Sequence, residues 1–143
     1  MERIKINLPE TFSFSTKLII RITDINYGGH VGNDTFLTLI HEARQQFLLH
    51  YGYTELNIEG LGLIIADAAI EYKQELKHLD EIMISVAAAN FDKIGFDIFY
   101  KMELIKNNDK ILAAKAKTGM LCFDYTLKKK TILPEEVIAK LNT

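Results

Sequence analysis

The chain has 143 residues, 48% of them hydrophobic and 25% charged, a composition that supports one globular domain able to build a core without staples. Its 17 Lys and Arg against 19 Asp and Glu leave a net charge of −2, which supplies no positive field for nucleic acid or anionic lipid. A single cysteine, Cys122, excludes an internal disulfide and a multi-cysteine metal cluster, and no apolar run is long enough for a signal peptide or a membrane span, so a cytoplasmic protein is expected.

Residues 13–23 are rich in β-branched side chains with partial alternation, which predicts a first strand. Residues 24–33 hold three glycines and two asparagines, and predict a tight loop needing positive φ or close backbone approach. From Asp34 to Tyr51, apolar residues fall at Phe36, Leu39, Ile40, Ala43, Phe47 and Tyr51, a spacing of three and four that predicts one long helix. Asn33 or Asp34 is expected to cap its start, and Gly52 to follow its end. The runs 61–76, 81–91, 95–105 and 110–127 predict four more strands, with hairpin turns at 92–95 and 106–109 making the last three an antiparallel meander. Pro134 and the acids after it open a short terminal helix. The fold class is α+β. One long helix cannot cover both faces of such a sheet, so self-association is expected.

The segment with chemical content is Arg21 to Arg44, where the glycine-rich turn delivers Asp24, Asn26, His30, Asn33 and Asp34 just ahead of the helix. Unpaired amides at a helix start can hold an oxyanion, and Gly28 and Gly29 allow a ligand to approach. A carboxylate there can act as nucleophile or general base, while an asparagine or histidine can orient water or polarise a carbonyl. Each residue also has a structural reading. Asp24 can act on a carbonyl or simply end the strand as a turn residue, and Asn26 can position water or tolerate a left-handed turn. His30 can be base, carbonyl donor or a structural histidine, and the spacing of its neighbours does not suit a metal site. Glu42 borders the buried side of the helix and can reach a cleft or stay solvated beside Arg44 and Gln46. Asp67, set among apolar residues, needs a partner or a raised pKa and is expected to face the dimer cleft. Cys122 reads as buried, and 128–130 as a solvated lysine turn within reach of a phosphate.

The stretch Asp24-Ile25-Asn26-Tyr27-Gly28-Gly29-His30-Val31-Gly32-Asn33, followed by Phe36 and His41-Glu42-Ala43-Arg44, resembles the hotdog-fold thioesterases of the 4-hydroxybenzoyl-CoA thioesterase type. Their pattern is Asp-x-Asp-x-x-Gly-His-Val-Asn-Asn, then an aromatic residue and a helical Glu-Ala-Arg. Residues 69–72, 80–81 and 133–136 extend the likeness over most of the chain. The resemblance implies a curved antiparallel sheet of about five strands wrapped around one long helix, pairing into dimers or tetramers with active sites between subunits. It implies acyl-CoA hydrolysis to a free acid and coenzyme A, with no cofactor beyond the substrate's own coenzyme A. It also implies catalytic roles among Asp24, Asn26, His30 and Glu42, with Gly28, Gly29, Val31, Asn33 and Asp67 contacting substrate. Two positions depart from the pattern: Asn26 stands where the family has its second Asp, and Gly32 where it has the first of two asparagines. An amide cannot take a proton from water, so the base must lie elsewhere or the chain binds acyl thioesters without cleaving them. A hydroxyacyl-thioester dehydratase is a further alternative, disfavoured because the histidine and helical acid stand in a different sequence setting.

Overall fold

The computed structural model describes residues 1–143. Strand β1 (Phe14–Ile19) leads through a 3-10 turn (Ile22–Asp24) and the glycine loop into helix α1 (Asn33–His50). Strands β2 (Gly62–Tyr72), β3 (Glu81–Ala89), β4 (Gly95–Lys106) and β5 (Asp109–Asp124) follow, then the two-residue β6 (Lys129–Lys130) and helix α2 (Glu135–Leu141). All pairings are antiparallel, in the order β1-β3-β4-β5-β2, with β6 added to β5. The predicted meander is present, and Asn107 and Asn108 both take positive φ in the β4–β5 hairpin, as a two-residue turn of the tight mirror-image type requires.

Helix α1 lies against the inward face of this curved sheet. Phe36, Leu39, Ile40, Ala43, Phe47 and Leu48 pack onto Ile82, Ile84, Val86, Ile98, Tyr100 and Met102, which alternate along β3 and β4. That is the hotdog arrangement the resemblance implies. The helix ends as foreseen: Tyr53 N–H bonds the Leu48 carbonyl, Gly52 N–H bonds Leu49, and Gly52 takes φ +83°. Its start differs. Gly32 is the N-cap and no side chain caps it, so Asn33 and Asp34 fall in the first turn, where Asp34 meets the dipole instead of a cap amide. Pro134 likewise sits at the N-cap of α2.

Two features lay outside the sequence expectations. Residues 4–12 cross the sheet's helix-free face: Ile6 is buried, its amide donates to Glu71 Oε2 at 2.6 Å, and Lys101 Nζ lies 5.0 Å from the Phe12 ring centroid. Part of the face expected to need a partner is thus covered by the chain's own N-terminal segment. The lysines of 128–130 form a turn and a short exposed strand, with Lys129 and Lys130 paired to β5.

Candidate active site

The glycine loop is built by its own side chains. Asn26 Oδ1 accepts from Gly28 N–H at 2.9 Å, the Asn26 amide donates to the His30 carbonyl at 2.9 Å, and the Gly29 amide donates to the Asn26 carbonyl. Gly29 has φ +85°, a conformation that side chains rarely adopt. A Cβ at Gly32 would stand 2.6 Å from Asp34 Oδ1 and 3.4 Å from Asn26 Nδ2. The two departures from the family pattern therefore adjoin: the Asp34 carboxylate takes the space that a side chain at 32 would need, and Asn26 lies in van der Waals reach of it. The Val31 amide donates to the Leu76 carbonyl, fixing the loop to the segment after β2.

Helix α1 has a cavity on each side of its N-terminal half, and the sequence-predicted residues divide between them. On the β2 side, a cavity of about 310 Å³ is lined by His30, Val31, Asn33, Phe36, Tyr72 and Glu75, among others. Tyr72 O–H donates to the Asn33 carbonyl at 2.9 Å. His30 is half-buried, with Nδ1 3.3 Å from the Val31 carbonyl and Nε2 3.8 Å from Glu75 Oε1. The amides of Asn33 and Asp34 have no backbone acceptor, as expected in a first turn. On the β1 side, a cavity of about 440 Å³ is lined by Leu18, Arg21, Asp24, His41 and Glu42 among others. Asp24 is 4% exposed and accepts from the Arg21 amide at 2.8 Å and its guanidinium at 3.4 Å, closing the 3-10 turn. Its carboxylate is committed locally. Glu42 is exposed and accepts from Gln46 Nε2 at 3.0 Å, one helical turn on.

Asp67 joins neither cavity. It follows a β-bulge in β2, on the helix-free face, where Lys117 Nζ donates at 2.8 Å and the Gly119 amide at 3.0 Å. The ammonium of Lys117 holds its carboxyl below the usual carboxylate range, opposite to the raised value that was the sequence alternative. Asp67 thus has the partner that its apolar setting requires, and it lines neither of the two cavities described above. Asp67→Asn should leave turnover unchanged. A depressed carboxylate pKa contributes stability above the ordinary Asp range and loses it as pH falls through the folded-state value, so the substitution should flatten the acid limb of Tm against pH, measured from about pH 5 to 3.

Arg44, to which the sequence reading gave no place of its own, is 4% exposed. Its Nε donates to Glu55, its Nη1 to Tyr100 Oη at 3.3 Å, and Tyr100 Oη lies 2.7 Å from Thr118 Oγ1. Burial works against the charge, but Tyr100 and Glu55 outweigh it and the guanidinium pKa is raised. The signal was in the sequence: residue 44 falls four after Ile40 and three before Phe47, on the buried stripe. No group of His, Cys, Asp and Glu side chains forms a metal site, and no helix is long and apolar enough to cross a membrane.

Comparison with known proteins places this geometry. A 1,4-dihydroxy-2-naphthoyl-CoA hydrolase from Microcystis aeruginosa is 29% identical over 125 residues, covering 83% of this chain and 86% of the relative. Its counterpart from Nostoc punctiforme is 23% identical over 137 residues, covering 92% and 88%. Among solved structures, a 1,4-dihydroxy-2-naphthoyl-CoA thioesterase from Synechocystis superposes with a TM-score of 0.78 at 21% identity, covering 91% of this chain and 98% of that one. A 4-hydroxybenzoyl-CoA thioesterase bearing an Asp-to-Asn substitution, complexed with 4-hydroxybenzoyl-CoA, gives 0.79 at 14% identity over 90% and 97%. The model of the thioesterase-like superfamily matches residues 20–141, so the chain belongs to that family.

Proposed function

We propose that the chain is an acyl-CoA thioesterase, hydrolysing a thioester to a free carboxylic acid and coenzyme A, and that the reaction takes place in the β2-side cavity at the start of α1. The observation that carries this reading is that two unpaired helix amides, a half-buried histidine and a tyrosine hydroxyl lie together at the start of α1, beside the cavity that His30, Asn33 and Tyr72 line. In the proposed reaction the thioester carbonyl oxygen accepts from the Asn33 and Asp34 amides, which stabilise the charge that develops on it. His30 takes a proton from water as that water attacks the carbonyl carbon. The tetrahedral intermediate collapses by breaking the carbon–sulfur bond, and the imidazolium returns its proton to the departing thiolate. Glu75 stabilises the imidazolium, and Asn26 holds the loop in place of a reacting acid. Water and thioester are the only reactants, so no metal or redox cofactor is called for. Purified protein should release free thiol from acyl-CoA esters; absence of release across short, long and aromatic acyl groups would support an acyl-thioester binding protein instead.

The β2 edge supports self-association. Ile65 is 48% exposed there, Ala66 and Ala68 are exposed, and no charged side chain interrupts 62–66 on this outer strand. We therefore assign a homodimer joined along β2, with a tetramer as the higher alternative, and a cytoplasmic location for a chain whose one cysteine is free and buried. Light scattering at micromolar concentration should give at least twice the chain mass of 16.3 kDa; a stable folded monomer contradicts the assignment.

A further inference from the structure

Only one end of the Asn26 amide is used by the glycine loop. Its Oδ1 accepts from the Gly28 amide, while its Nδ2 donates to no protein group. The Asp34 carboxylate is free in the complementary sense: it lies exposed in the first turn of α1, accepts no hydrogen bond and joins no ion pair. Both groups border the open side of Gly32. A Cβ built there would stand 2.6 Å from Asp34 Oδ1 and 3.4 Å from Asn26 Nδ2, so an unpaired acceptor and an unpaired donor lie within the span of one bridging water.

This gap belongs to the β2 side of the helix. A Cβ at Gly28 would stand 3.2 Å from Asn26 Oδ1 and 3.5 Å from His30 Nε2, so the imidazole borders the other end of the same amide. The charge of Asp34 is felt on that side as well: burial, and after it the negative charge of Asp34, raises the pKa of the Tyr72 hydroxyl, and Tyr72 lines the cavity that His30 lines. A carboxylate at the positive end of a helix dipole needs only its charge, and that role leaves Gly32 unexplained. Gly32 has φ −68° and ψ 155°, extended backbone that any residue adopts, so the chain path does not call for glycine there. What glycine provides at 32 is room for the carboxylate beside Asn26.

We propose that Asp34 and Asn26 together hold the water that attacks the thioester, with Asp34 as a positioning residue. The water oxygen accepts from Asn26 Nδ2 and one of its protons is donated to Asp34 Oδ1. Its other proton passes to His30, and its remaining lone pair forms the bond to the carbonyl carbon while the carbonyl π pair moves onto oxygen. Asp34 stays charged throughout and takes no proton. The proposal rests on the hydrolase reading, and one set of assays separates the two. Thiol release from acetyl-, octanoyl- and benzoyl-CoA is followed for the wild type, Asp34→Asn, Gly32→Ala and the double variant, with a melting temperature for each. On the substrate turned over fastest, Asp34→Asn keeps its backbone amide and should lower kcat about 10- to 100-fold with KM within about threefold. Gly32→Ala keeps the charge and an allowed backbone, but its methyl displaces the carboxylate, so it should lower kcat by a similar factor with little change in melting temperature. The double variant should lie within about threefold of the slower single variant, because both changes release the same water. Wild-type kcat in either single variant overturns the proposal, and so do losses that multiply in the double variant. A wild type that releases thiol from none of the three esters overturns the hydrolase reading, and the proposal with it.

Discussion

His30→Gln is expected to lower kcat/KM for acyl-CoA hydrolysis by about 10² to 10⁴, the usual cost of losing a general base, with little change in melting temperature. The small stability cost follows from the environment of the ring. Its Nδ1 makes one long contact to the Val31 carbonyl, and its Nε2 faces Glu75 across 3.8 Å at a half-exposed site. The bonds that shape the loop are made by the His30 carbonyl and by Asn26, which the substitution leaves in place. Asp24→Asn should behave in the opposite way. That carboxylate closes the 3-10 turn through the Arg21 amide, so losing its charge should cost about 0.5 to 2 kcal/mol of stability and leave turnover within a few-fold. Steady-state kinetics and thermal unfolding on the two variants separate base from cap. Full activity in His30→Gln, paired with loss of activity in Asp24→Asn at unchanged Tm, would move the chemistry to the other side of α1.

Arg44→Met should be the most destabilising single substitution among the polar residues. It removes the guanidinium that bonds Glu55 and Tyr100 and leaves two polar groups, one of them on a fully buried side chain, without their partner. Glu55 keeps a quarter of its side chain in water, so the cost falls mainly on the buried Tyr100 hydroxyl and the half-buried carboxylate, about 1 to 3 kcal/mol. In a chain of this size that corresponds to a fall in Tm of about 3 to 10 °C. Methionine fills the same volume with apolar atoms, so the loss would report the unpaired groups, not a cavity. Arg44→Met combined with Glu55→Gln and Tyr100→Phe should recover part of the loss, because the groups left stranded are then neutral or absent. A drop of less than about 0.5 kcal/mol for the single variant would mean Arg44 is solvated, as an ordinary surface residue would be.

Much of this fold can be read from local pattern. The stripe from Phe36 to Phe47 has the period of a helix, Gly52 marks its end, and Asn107-Asn108 mark a hairpin, each through nearest-neighbour physics that needs no tertiary information. The site was legible as a segment and illegible as an arrangement. Asp24, His30 and Glu42 lie within nineteen positions, but α1 passes between them and sends them to two different cavities. Only the direction in which the loop enters the helix decides that, and Gly32 taking the N-cap in place of Asn33 is a one-residue difference that propensity does not resolve. The partner that Asp67 requires could not be named from sequence, because Lys117 stands 50 residues away on β5 and reaches it across a bulge. The Arg44 network was hidden for the same reason: its place on the stripe requires burial, but the Tyr100 that receives it stands 56 positions on.

The central claim is that the thioester binds on the β2 side of α1, at His30 and the Asn33 amide. A crystal structure of the protein with an uncleavable phenacyl-CoA thioether tests it most directly. The ligand's sulfur and carbonyl are expected beside His30, Asn33 and Tyr72, with the aryl group against Phe36. A ligand whose carbonyl lies instead between Asp24 and Glu42, in the cavity beside β1, would contradict it.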